Sequence, residues 1–169
     1  MEAYLFYIMA AVCVVAAVYL IFEKNPVFNA LYLIQIMVSI AVLYILLEAQ
    51  FIAAVQIIVY AGAIMVLFLF VIMLLNLNVK EESKDALPFQ KIPAIFMGVV
   101  LFATIGMVLK SELLQGKHGE YTTANVNNIG NTKLIGNLLF TDYLLPFEIT
   151  SILLFVAAIG AIMLAKRKL

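Results

Sequence analysis

Apolar residues run in long blocks separated by short polar punctuation, and five of the blocks are long enough to cross a bilayer. They cover residues 3–22, 27–47, 51–75, 92–109 and 144–165. Glu23-Lys24-Asn25-Pro26 separates the first two as a tight turn, in which proline stops one helix and opens the next. Glu48-Ala49-Gln50 separates the second from the third. Connections this short make the first three helices an up-down-up arrangement. Residues 76–91 contain KEESKD and read as a solvated loop. Residues 110–143 are rich in Gly, Asn and Thr, and read as irregular chain or short surface helices. There is no internal repeat and no sign of a second domain. The pattern predicts an all-α integral membrane protein, one membrane domain over residues 1–169 with five transmembrane helices. The first block reads as a retained helix, because a signal peptide would have a basic start and a shorter apolar run, and would not carry Glu2.

Composition agrees. The chain is 66% hydrophobic and 12% charged, where soluble domains are about half apolar and a quarter charged. The formal net charge is zero, which gives no reason to expect nucleic acid as a partner. A lone cysteine, Cys13, excludes an intrachain disulfide or a cysteine-ligated cluster within this chain. The single histidine, His118, stands in a polar loop and argues against a histidine metal site.

The third block is the most informative. It carries no formal charge from Phe51 to Leu75. Gln56 and Tyr60 are four residues apart, which places them on one face of an α-helix. Ala61-Gly62-Ala63 follows at once. A plain anchor needs neither a polar pair nor a central glycine. In lipid the two polar side chains need partners, so they should face other helices or ordered water in a proton path. Tyrosine both donates and accepts hydrogen bonds, but a phenol is too weak an acid to carry protons by itself. The small residues admit two readings: close packing of a neighbouring helix, or a place where the helix inserts a π-bulge and rotates its far half. Under the second reading Met65, Phe68, Phe70 and Met73 would sweep an adaptable apolar surface past their neighbours.

Few other residues offer chemistry. Glu148 follows Pro146 at the start of the last block. It reads either as an acid complementing the helix dipole or as a carboxylate in a polar, proton-relaying network. Glu48 is a solvated connector or a relay group, and Glu23 marks an interface. Gln35 and Ser39 form another i,i+4 polar pair. No charge sits at the centre of any block, as an autonomous pump would require. There is no nucleotide-binding glycine loop, paired-cysteine motif or nucleophilic triad. Alone, the chain reads as catalytically empty, with no metal and no bound cofactor.

The run IIVYAGAIMVLFLFVIMLLNL (Ile57–Leu77) resembles the third helix of the subunit-J family of bacterial proton-pumping NADH:quinone oxidoreductase, respiratory complex I. Its mitochondrial counterpart is NADH dehydrogenase subunit 6. KNPVFNALYL (Lys24–Leu33) and LLFTDYLLPFEITSILLFVAAIGAIMLA (Leu138–Ala165) extend the resemblance. It implies a core membrane subunit that couples quinone reduction to proton translocation in the bacterial inner membrane. Tyr60, Ala61, Gly62, Ala63, Met65 and Phe68 would form a switch between α-helix and π-bulge. Glu148, Gln56 and Glu48 would belong to a proton path or polar network. Some relatives carry glutamate where this chain has Gln56, so this position relays protons only through water. The resemblance places NADH, FMN, the iron–sulfur clusters and quinone elsewhere in the whole complex. The implied partners are the other membrane subunits and the lipid bilayer, with quinone only indirectly. Two rivals stand beside this reading: a structural or assembly subunit without a coupling role, and a subunit of a related cation/proton antiporter or membrane hydrogenase complex.

Five crossings put the termini on opposite sides. Lys24, Lys80, Lys84, Lys91, Lys166, Arg167 and Lys168 then share one side, and Lys110, Lys117 and Lys133 the other. Basic residues concentrate on the cytoplasmic side, so the N-terminus is expected outside and the C-terminus in the cytoplasm. Loop 76–91 is then cytoplasmic and loop 110–143 periplasmic. A cysteine introduced near residue 125 should react with an impermeant reagent in intact cells, and one near residue 168 should not. The reverse pattern would invert the orientation.

Overall fold

The computed structural model describes residues 1–75, 88–110, 126 and 128–166. The loop expected from residue 76 lies outside the described residues up to 87, as do residues 111–125 of the second loop, His118 among them. Among the described residues every regular element is helical. The elements are α1 (Glu2–Phe22), α2 (Pro26–Leu46), α3 (Gln50–Val55), a π-helical segment (Gln56–Ile64), α4 (Met65–Leu75), α5 (Pro88–Lys110), α6 (Asn131–Phe140) and α7 (Leu144–Ala165). The segments α3, π and α4 together form the third span, Gln50–Leu75.

Four helices are long and apolar enough to cross a membrane: Glu2–Phe22, Pro26–Leu46, Gln50–Leu75 and Leu144–Ala165. The expected fourth crossing corresponds to α5, a 23-residue helix from Pro88 to Lys110 whose described apolar stretch is Ile92–Val108.

The chain forms two compact units, Met1–Leu75 with Thr123–Leu169, and Asn76–Thr122. The second contributes α5, with Pro93 inside it. In the first, α2 is the common partner: it packs against α1, α3, the π segment and α4. α6 packs against α3 and α7. Among the described elements of its unit, α7 touches only α6.

Local chemistry fixes the two turns around α2. At its start Asn25 caps the helix, its side-chain oxygen accepting from the Val27 N–H at 2.9 Å, and Pro26 occupies the first position. The Glu23 carboxylate accepts from the Asn25 N–H at 2.9 Å, and the Asn29 amide donates to the Glu23 carbonyl at 3.1 Å. Glu23 is therefore a turn lock. At the other end the Glu48 N–H reaches the Ile45 carbonyl and the Ala49 N–H the Tyr44 carbonyl, at 3.0 and 2.9 Å. This double bond pattern ends a helix on a left-handed residue, usually glycine. Here Glu48 holds that place at φ 60°.

The buried core is made largely of small side chains: Ala16, Ala30, Ser39, Ala41, Ala53 and Ala61, with Met65, Ile72 and Gln56. Small residues let membrane helices approach closely, so dispersion acts at short range. Ser39 is fully buried, and its hydroxyl donates to the Gln35 carbonyl at 2.9 Å. The expected polar pair is thus a bond to the backbone, and the Gln35 side chain is exposed. Overpacking this seam should cost about 1–3 kcal/mol. Ala41→Leu is expected to lower the midpoint of thermal unfolding, followed by helical circular dichroism in mild detergent.

Candidate functional site

The centre of the third span leaves the α-helical path over Gln56–Ile64. At its exit the Met65 N–H bonds to the Tyr60 carbonyl, five residues back instead of four. The backbone groups still find one another, as hydrocarbon demands.

The π segment shifts the phase of the helix. On the face turned toward the protein, Ala53, Gln56, Ala61, Met65 and Ile72 are buried. The steps are three, five, four and seven residues, and the five falls inside the π segment. A continuous α-helix would follow Gln56 with Tyr60. Instead Gln56 is 8% exposed and Tyr60 is 49% exposed. The spacing placed the two on one face; the π geometry separates them, putting Ala61 inward and turning Tyr60 out.

Gly62 lies within the π segment. A Cβ there would lie 3.1 Å from the Ile57 carbonyl oxygen, tighter than ordinary contact, and would meet nothing else within 4 Å. No other described helix presses on Gly62. Ala63 is exposed beside it. Below, Met65 is buried, while Phe68, Phe70 and Met73 are about half exposed.

Gln56 finds a partner that the sequence pattern did not signal. Its Nε2 donates to the Met37 sulfur at 3.0 Å. A thioether is a weak acceptor, so this contact holds the amide loosely at the head of the π segment. A second unsignalled contact lies at the start of the span. Asn131 in α6 accepts through Oδ1 from the Phe51 N–H at 3.2 Å, across 80 residues of sequence.

The acidic candidates are not gathered with Gln56. Glu48 sits in the turn before α3. Glu148 lies on α7, which among the described elements reaches the third span only through α6. Its place in the helix also differs from expectation. α7 begins at Leu144, so Pro146 is the third residue and Glu148 opens the second turn. No acid occupies the first turn, which weakens the dipole reading of Glu148 because that effect is confined to the helix end. The hydroxyls around it turn back on the helix: Thr150 donates to the Pro146 carbonyl at 2.8 Å, and Ser151 to the Glu148 carbonyl at 2.7 Å. Among the described residues no three His, Cys, Asp or Glu side chains converge as a metal site.

The sequence matches the family described as NADH-ubiquinone/plastoquinone oxidoreductase chain 6 over residues 16–164. NADH-quinone oxidoreductase subunit J of Rickettsia prowazekii is 36% identical over 167 residues, covering 96% of this chain and 80% of that protein. NAD(P)H-quinone oxidoreductase subunit 6 of the Paulinella chromatophora chromatophore is 39% identical, covering 97% of this chain and 78% of its own. NAD(P)H-quinone oxidoreductase chain 6 of Synechocystis sp. is 38% identical, with 97% and 80% covered. The match takes in the segments Lys24–Leu33 and Ile57–Leu77 and nearly all of Leu138–Ala165. This chain belongs to the NADH-ubiquinone/plastoquinone oxidoreductase chain 6 family, the family of NADH-quinone oxidoreductase subunit J.

Proposed function

We propose that this chain is a coupling subunit of proton-translocating NADH:quinone oxidoreductase in the bacterial inner membrane. Its third span converts between the π form and a continuous α-helix, and the conversion links quinone reduction to proton movement. NADH, FMN, the iron–sulfur clusters and the quinone site belong to other subunits. The single observation behind this reading is the five-residue step from Gln56 to Ala61 on the buried face.

The conversion acts through helix phase. Removing one residue's worth of offset turns everything beyond it by about 100°, one residue of an α-helix. Tyr60 would move toward the inward position that Ala61 holds. The half-exposed side chains of α4 would turn with it, carrying Phe68, Phe70 and Met73 across a neighbouring surface. The conversion exchanges one set of backbone bonds for another and leaves no amide unsatisfied. Water entering beside Gln56 and Tyr60 would complete a proton path that involves Glu48 and Glu148.

Gly62→Val tests this. Its Cβ conflicts with the Ile57 carbonyl in the π form. In the α form the loss of glycine is mildly favourable on conformational grounds: Ala gains roughly 0.5–1 kcal/mol over Gly, and valine gains less. The variant should therefore be held in the α form. In membranes with matched complex content, quinone-linked proton pumping should fall severalfold, while NADH oxidation by an artificial acceptor persists. Tyr60→Phe should be milder, since it removes one hydroxyl whose hydrogen bond is worth about 0.5–1.5 kcal/mol. Normal pumping in Gly62→Val would reduce the segment to a packing motif and leave the structural-subunit reading.

A further inference from the structure

A rotation within a helix does work on one end only if the other end is held. Both halves of the third span pack on α2, but among the described residues only the N-terminal half also makes a directional bond with α6. α4 rests on α2 and the π segment, with Met65 and Ile72 buried. Such apolar contact is non-directional and tolerates sliding. The N-terminal half has no side-chain cap of its own, because Ala49 stands at the capping position. Helix starts leave four N–H groups without partners. One of them, on Phe51, is taken by Asn131 at 3.2 Å. The asparagine thus acts as a cap supplied from 80 residues away.

Asn131 is itself firmly placed. It is the first residue of α6, preceded by Gly130 at φ 90°. α6 presents Leu134, Ile135, Leu138 and Leu139 half-buried, and Lys133 and Asn137 exposed. Its far end is tied to α7. The Tyr143 N–H bonds to the Leu138 carbonyl at 2.9 Å, and the Phe140 and Phe147 rings meet edge to face at 5.1 Å. One continuous chain of contacts therefore joins Glu148's helix, through α6, to the start of the third span. α6 is the only described element of the unit that touches both.

We infer that Asn131 is a positioning residue that anchors the N-terminal end of the third span, so that conversion of the π segment turns α4 and not α3. This rests on the coupling reading above. Without the anchor, the same conversion is shared between both halves, and part of it is lost as fraying of α3. The Asn131 side chain touches neither quinone nor cluster and performs no chemistry.

The test uses the intact complex in membranes, with content matched by artificial-acceptor NADH oxidation. Asn131→Ala should lower protons translocated per NADH oxidised through quinone by about fivefold, the equilibrium effect of losing one typical cap. Asn131→Asp, which keeps the acceptor oxygen, should stay near the parent value. Asn131→Ala in a Gly62→Val background should add nothing, because the rotation it supports is already gone. Phe51 and Gly62 lie roughly 16 Å apart along the helix, a separation at which unrelated effects add. Four results would overturn the inference: normal coupling in Asn131→Ala, an equal loss in Asn131→Asp, an additive double variant, or a loss explained entirely by reduced complex content. If Gly62→Val pumps normally, the coupling reading itself fails. If Gly62→Val is impaired and Asn131→Ala is not, only the anchor fails.

Discussion

Inside hydrocarbon a backbone amide has no water to turn to, so any irregularity in a spanning helix must satisfy itself. The third span meets that constraint with bonds reaching five residues back, ending with the Met65 N–H on the Tyr60 carbonyl. The cost is then steric, not polar. At position 62 a Cβ would lie 3.1 Å from the Ile57 carbonyl oxygen, and glycine has none. The phase of the buried face follows from this. Ala61 enters the seam, Tyr60 leaves it, and Met65 and Ile72 continue one residue later than an unbroken helix would place them.

The rest of the first unit is arranged to receive such a helix. α2 is its common surface, and the seams it shares are lined mainly by alanines, with Ser39 bonded to its own backbone. Small side chains bring the backbones close without interlocking knobs. The polar bond that crosses to the third span's middle, Gln56 to Met37, ends on sulfur. A weak acceptor costs little to leave. Directional bonds are found instead at the turns: Glu23 with Asn25, the left-handed Glu48, and Asn131 on Phe51. The ends are specified more tightly than the middle.

Much of the fold was legible because each turn carries its own chemistry. Asn25-Pro26 starts α2 where the pattern put a helix start, and the apolar blocks match the helices to within a few residues. α5 was legible as a helix, and Pro88–Lys110 encloses the apolar block that announced it. Gly62 lies inside the π segment. The separation of Gln56 from Tyr60 was not, because a fixed period of 3.6 is assumed when residues are assigned to a face, and a local change of period moves every later residue. Met37 and Asn131 carried no signal. Each acts through a contact 19 or 80 residues distant, and neither residue type is unusual where it stands.

Apolar exposure says little about what surrounds this chain, since lipid tails are as apolar as leucine. Polar exposure says more. Gln35 lies at the middle of α2, its side chain exposed and without a hydrogen bond among the described residues. An amide cannot remain so in hydrocarbon without a cost of several kcal/mol. The groove beside it is walled by Ala11, Val12, Val15, Tyr19 and Tyr32 and is mostly apolar. Leucine could cover that groove from the lipid side, but only another polar group or a water can complete Gln35. The same holds for Glu148, whose neighbouring hydroxyls are spent on their own helix. Polar side chains left open on helices of this length are specified for an assembly. That is the physical counterpart of its membership in a family of multi-subunit oxidoreductase chains.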